Sequence, residues 1–171
     1  MQYEAIKDLP REKLLELCSL YAKNWLATDG LWFQGVESDA GFGKALEIDI
    51  EMWRSFTVIE AKRIQAFLEL PRQAGLEGLR RALAFRLYAP LNEAETYYKG
   101  ESLIYRVVTC RVQHARQRKG LAYHTCKPVG LVEYALFAKT IDSRIETEAL
   151  SCHPDVTDPG CNCMWKFTLA E

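Results

Sequence analysis

Five of the six cysteines and all three histidines of this chain fall between Cys110 and Phe167. They stand as Cys110-Arg-Val-Gln-His114, His124-Thr-Cys126-Lys-Pro-Val-Gly130, Ser151-Cys152-His153-Pro154 and Cys161-Asn-Cys163-Met-Trp-Lys-Phe167. Thiolates and imidazoles drawn from separate segments are the donors that a soft or borderline metal takes, Zn first and an iron–sulfur cluster second. The expected ligands are Cys110, Cys126, Cys152 and Cys163, with Cys161 and His114 as alternates. Such a site is assembled by the tertiary fold, because the paired C-x-x-C knuckles of a zinc ribbon or ferredoxin are absent from the sequence. The same cysteines also read as buried packing groups, or as a redox thiol pair in which Cys161 and Cys163, too close to bridge each other without strain, find partners elsewhere. His124 and His153 read as surface residues, and Cys18, among leucines, as core.

A second set of groups lies in the first third of the chain. Trp25, Asp29 and Trp32 are four and three residues apart, and Asp49 and Trp53 repeat the arrangement. A carboxylate beside indole surface has to be hydrogen-bonded, paired or functional, since burying an unpaired charge is costly. The functional reading is a ligand pocket in which Asp29 or Asp49 binds a polar end or acts as a base while Trp32 and Trp53 enclose an apolar body. Glu37 and Glu60 are further acidic candidates. Pairs such as Cys110 with His114, or Cys152 with His153, are generic for nucleophilic catalysis, and no G-x-S-x-G stands in the chain. Gly41-Phe-Gly43-Lys44 lacks the preceding strand that a phosphate loop requires.

The elements that must position these groups follow from periodicity. Pro10 and Glu12 open a helix that carries Leu14, Leu17, Cys18, Tyr21, Trp25 and Trp32 to about Glu37, and Ser38 to Gly43 make a turn. A second helix runs from about Lys44 to Leu70, ended by Pro71, and a third, shorter one carries Leu76 to Leu87. From Glu93 the pattern turns to strands. Glu95–Lys99 and Leu103–Thr109 form a hairpin around Gly100, Ala115–Gly120 is a polar connection, Pro128–Ile141 is a helix, and Arg144–Leu150 and Met164–Leu169 complete the sheet. Helices first and an antiparallel sheet with one inserted helix after them mean an α+β fold. One domain is expected over residues 1–171, a helical half to residue 90 and a sheet half with the cysteine cluster after it.

Cys126 before a glycine-containing helix, the strand Arg144-Ile-Glu-Thr-Glu148, then Cys152 and Cys163-Met-Trp165-Lys-Phe167 resemble the ligand-binding domains called four-vinyl-reductase-type. The resemblance covers roughly the last third of the chain, and the Cys161-Asn-Cys163 pair departs from the single cysteine of that pattern. It implies an antiparallel sheet with helices packed on it, around a pocket for a small apolar ligand or a metal held by cysteines. Asp29-Gly-Leu-Trp-Phe33, Ala61-Lys-Arg-Ile64 and Cys110 to Arg116 look like a family of uncharacterised small prokaryotic cytosolic proteins. The order of helices before sheet is also similar to that of hydrolases of 2-aminothiazoline-4-carboxylate.

Composition narrows the partners. A net charge of -1 with no basic stripe argues against nucleic acid, and the lack of a long apolar run argues against a membrane. The N-terminus has no basic and apolar leader, so the expected location is the cytoplasm, where lasting disulfides are rare. Three functions remain as expectations: a protein binding a metal or small ligand, a hydrolase for a small heterocyclic or amide substrate using an acidic residue or a cysteine, and a structural module that forms a homodimer through an aromatic face.

Overall fold

The structure is a computed structural model that describes residues 3–170. Two long helices come first, α1 (Arg11–Ala40) and α2 (Phe42–Phe67). Only Gly41 separates them, at φ 84, so the expected turn over residues 38–43 contracts to one residue whose lack of a Cβ admits this conformation. Stacking of Trp25 on Phe56 and the edge contact of Phe33 with Phe42 show that the helices fold back antiparallel. Asp29-Gly30 does not interrupt α1.

The inward stripe expected for α1 is only partly buried. Ala22 is its single buried residue, and Leu14, Tyr21 and Trp32 are exposed, as is Cys18, which is therefore not a core residue. The physical reason is that α2 is the one element that α1 packs on extensively, so one side of the helix is covered and the remainder faces solvent.

After α2 the chain forms α3 (Gly75–Leu83), then β1 (Glu93–Lys99), β2 (Ser102–Thr109), α4 (Arg111–Arg118), α5 (Lys127–Ile141), β3 (Ile145–Cys152) and β4 (Cys163–Leu169). The fold is α+β, as the order of patterns indicated, and α5 is the inserted helix. The polar span assigned to a connection belongs instead to α4. The sheet order is β1-β2-β4-β3 with every pair antiparallel. Its register puts Leu103 opposite Phe167, Tyr105 opposite Trp165 and Val107 opposite Cys163, one row of buried side chains across the two central strands. Helix α5 lies on that row with Phe137, Ala138 and Ile141, and α2 packs on α5 from the far side. Gly130 permits the closest approach: a Cβ there would stand 2.5 Å from Cζ2 of Trp165.

One irregularity in β3 matters for chemistry. Thr147 faces Phe167 and Ala149 faces Trp165, but a bulge between Ala149 and Ser151 shifts the register so that Cys152 faces Cys163. Without the extra residue, the period of two would turn the Cys152 side chain to the opposite face. The bulge brings two thiols to adjoining positions on the core side.

Candidate active site

Where α1, α2, α4, α5 and the ends of β2, β3 and β4 converge there is a cavity of about 470 Å³. All four cysteines expected as ligands line it: Cys110 at the β2–α4 junction, Cys126 at the start of α5, Cys152 at the end of β3 and Cys163 at the start of β4. Asp29, Asp49 and Trp53 line it as well. A wider depression along residues 9–23 is an open groove on α1 that gathers no thiol or imidazole.

Several expected residues stand elsewhere. Trp32 is 65% exposed, because the row of α1 that faces the cavity runs through Leu26, Asp29, Gly30 and Phe33 and Trp32 lies to the other side of Asp29. Cys161 is buried, but its thiol lies 3.6 Å from Asp158 Oδ2, and burial together with that carboxylate raises its pKa to about 11. Of the pair, Cys163 belongs to the cavity. His114 is exposed on α4, Glu37 forms two hydrogen bonds with Arg116, Glu60 is buried against Arg86, and His153 stacks on Tyr123.

His124 reverses its expectation. It is only 6% exposed, its ring packed on Phe33 at 4.7 Å and Phe42 at 5.5 Å between centroids. The aromatic rings come from the last third of α1 and the start of α2, more than eighty residues away in sequence, so nothing local to His124 marks it as buried. Gln113, fully buried on α4, holds the segment: its Nε2 donates to the His124 carbonyl at 2.9 Å and its Oε1 accepts from the His124 N–H at 2.9 Å. The same Nε2 lies 3.3 Å from Cys126 Sγ. The helix that the sequence pattern does not reveal is thus the one that positions His124 and Cys126.

Cys126 Sγ is 3.6 Å from Cys152 Sγ. A hydrogen bond from the Cys152 thiol is the strongest influence on Cys126 and, with His124 and Gln113, outweighs burial to hold its pKa well below the ordinary thiol range. The position at the first turn of α5 acts in the same direction. Cys152, which keeps its proton and donates the S–H hydrogen bond to Cys126, is pushed far up, and burial raises Cys110 to about 12. His124 Nε2 is 3.7 Å from Asp49 Oδ2, whereas Nδ1 has no hydrogen-bond partner. Burial pushes Asp49 up to about 7, with His124 opposing and Asp29 and Glu133 reinforcing the rise. Burial also raises Asp29, which accepts a hydrogen bond from the Tyr88 hydroxyl at 2.8 Å. Thiol, imidazole and carboxyl therefore follow one another along the wall of one cavity.

The fit of these residues to a metal is partial. Ligands of tetrahedral Zn at a Zn–S length of about 2.3 Å are separated by roughly 3.8 Å, close to the Cys126–Cys152 spacing of 3.6 Å. Among the described residues, however, no three His, Cys, Asp or Glu side chains form a group that could hold a metal ion.

Comparison with family models gives a match over residues 7–169. The chain belongs to the family of unknown function DUF6125. The match includes every residue of the cavity wall, so the site is part of the family's common segment. No curated protein and no solved structure matches the chain, and the resemblances to four-vinyl-reductase-type domains and to 2-aminothiazoline-4-carboxylate hydrolases gain no support from these comparisons. Among the described residues no helix is long and apolar enough to cross a membrane.

Proposed function

We propose that the cavity binds a small molecule and that Cys126 hydrolyses it, with His124 as the proton carrier and Asp49 as the group that orients the imidazole. The observation that carries this reading is the meeting of those three side chains at one pocket, although they come from α2 and from two points around the start of α5. A nucleophile, a base beside it and a third group on the base are the working parts of acyl-transfer catalysis. In the forward step the thiolate attacks an electrophilic carbonyl carbon, a C–S bond forms, and the bond to the leaving group breaks as that group takes a proton from the imidazolium. Water then gives a proton to His124 and its oxygen to the carbonyl carbon, which releases the acid and restores the thiolate. The Gln113 amide, 3.3 Å from Sγ, is the side-chain donor placed to meet negative charge during the transfer. Trp53, Tyr134 and Trp165 supply the apolar wall.

The test is acylation by a small chromogenic ester under single-turnover conditions. A burst of leaving group equal to the protein, with one acyl group on the peptide containing Cys126, is the expected result. Cys126→Ser should remove the burst and His124→Ala should slow it by about 10²-fold or more. A burst unaffected by Cys126→Ser would overturn the reading.

A second reading is favoured by the convergence of four cysteines on one cavity. In it, Cys110, Cys126, Cys152 and Cys163 hold Zn or an iron–sulfur cluster and the pocket serves binding alone. Metal analysis and an absorption spectrum of anaerobically purified protein decide it: stoichiometric metal lost in the Cys152→Ser variant would favour it, and a folded, metal-free preparation would count against it.

A further inference from the structure

The polar groups at the inner end of the cavity are unequal in kind. Asp29 and Asp49 both line it, and neither forms an ion pair with a lysine or arginine among the described residues; the one basic group close to Asp49 is His124. The Tyr88 hydroxyl bonds one oxygen of Asp29 and leaves the other oxygen open to a donor. His124 stands on the same wall. With Nε2 turned to Asp49, its Nδ1 has no partner, on a residue more than nine-tenths buried, and it is the nitrogen left to carry the proton of the Cys126 reaction. Two carboxylates held away from any lysine or arginine, with only the Tyr88 hydroxyl, the Trp53 indole and the His124 ring beside them, are costly to keep ionised, so a group that brings N–H donors and positive charge completes this end.

The surrounding side chains agree. Trp53 and Phe33 line the same space, and both already lie near positive charge, Arg86 at 5.7 Å from the Trp53 ring and Arg116 at 6.0 Å from the Phe33 ring. Other basic residues on the wall are occupied or solvated: Glu37 neutralises Arg116, Glu60 and Glu133 neutralise Arg86 beneath the wall, and Lys23, Arg118 and Lys119 are exposed, Lys119 bonded to Gln34. Arg111 is partly exposed.

We infer that the substrate carries a protonated amine, which docks against the Asp29 and Asp49 carboxylates while its electrophilic carbon reaches Cys126. This rests on the reading of Cys126 as the nucleophile and adds the chemical class of what it attacks. Asp49 then has two tasks, orienting His124 and holding the ammonium group. Asp29 has the second task alone.

Charged thiol reagents test it on the intact protein. Aminoethyl methanethiosulfonate is a cation, sulfonatoethyl methanethiosulfonate an anion and methyl methanethiosulfonate uncharged. Each transfers its thioalkyl group to a thiolate and releases methanesulfinate. Rates at the Cys126 peptide, followed by mass spectrometry at about pH 8, are divided by the rates of the same reagents with a small free thiol. The normalised cation-to-anion ratio should be about tenfold or more, the factor that about 1.4 kcal/mol of differential attraction gives. Asp29→Asn and Asp49→Asn, each close in shape to the original, should each lower that ratio by at least about threefold.

A ratio at or below that of the free thiol, or one unchanged in both variants, overturns the inference while leaving the nucleophile intact, provided the uncharged reagent still modifies Cys126. If the uncharged reagent does not modify Cys126, the nucleophile reading fails and the inference fails with it.

Discussion

Asp49 stands at a position where folding works against its charge. Its pKa rises from 3.8 to about 7, burial being the largest cause. A folded value above the unfolded one means that the native state takes up a proton. The neutral acid is stabilising relative to the anion below pH 4, and that advantage declines as pH rises from about 4 to 7 and is absent above. Asp49→Asn keeps the shape and removes the charge, so it should stabilise the protein at pH 8 by up to roughly 4 kcal/mol, a rise in melting temperature on the order of 10 °C. At pH 4 the variant and the parent should melt together. Calorimetry at the two pH values checks this, and equal melting temperatures at both would mean that Asp49 ionises as an exposed acid does. The variant should also alkylate more slowly at Cys126, because His124 loses the group that orients it. A gain in stability paired with a loss of reactivity is the signature of a residue kept for chemistry.

At the scale of elements, α5 depends on a glycine where it crosses the sheet. Gly130 meets Trp165 so closely that a methyl group would lie 2.5 Å and 2.7 Å from two indole carbons. Gly130→Ala gains about 1 kcal/mol of helix propensity and loses about 1–3 kcal/mol to overpacking. The helix has to move away from β4 and take Cys126 with it, so the expected outcome is a lower melting temperature and slower alkylation of Cys126. Gly35→Ala is the control on α1, where nothing lies within 4 Å of the added carbon, and it should stabilise by up to about 1 kcal/mol. Equal effects of the two substitutions would show that the indole yields freely. The same contrast explains what could be read in advance. α2 and α5 announce themselves because their apolar residues recur at helical spacing, and Cys126 and Cys152 could be placed at element ends from the strand and helix patterns. α4 could not, since its buried side chains are Gln113 and Arg116 and its apolar residues are only Val112 and Ala115. Its stability comes from partners elsewhere, Glu37 on α1 and the backbone of His124 and Ala122. The bulge that turns Cys152 inward likewise has no signal in a run that alternates regularly up to Ala149.

For the whole molecule, one buried cation ties the helical hairpin to the sheet half within the packing of α2 on α5. Arg86, between α3 and β1, bonds Glu60 of α2 through Nε at 3.1 Å and Nη2 at 3.0 Å, and Glu133 of α5 through Nη1 at 2.6 Å. Its guanidinium lies over Phe137 at 4.8 Å and Tyr134 at 5.2 Å. Burial disfavours the Arg86 charge, but Glu133 and Glu60 outweigh it and its pKa ends above the ordinary value. One arginine thereby holds the helix that carries Asp49 and Trp53 against the helix that begins at Cys126. Arg86→Met keeps much of the apolar stem but leaves two carboxylates facing each other without a counter-ion, which costs about 3–5 kcal/mol. That is a large part of the 5–15 kcal/mol typical of a folded domain, so a melting temperature about 10 °C lower is expected at neutral pH. Burial already raises Glu133, and removal of the arginine takes away what opposes that rise. In the variant Glu133 therefore titrates at higher pH than in the parent, and lowering the pH through that range should return much of the lost stability. Adding Glu60→Gln and Glu133→Gln to Arg86→Met should return it at neutral pH too. Thermal melts of the single and triple variants between pH 5 and 8 separate this from a packing defect, which would persist at every pH and survive removal of both carboxylates.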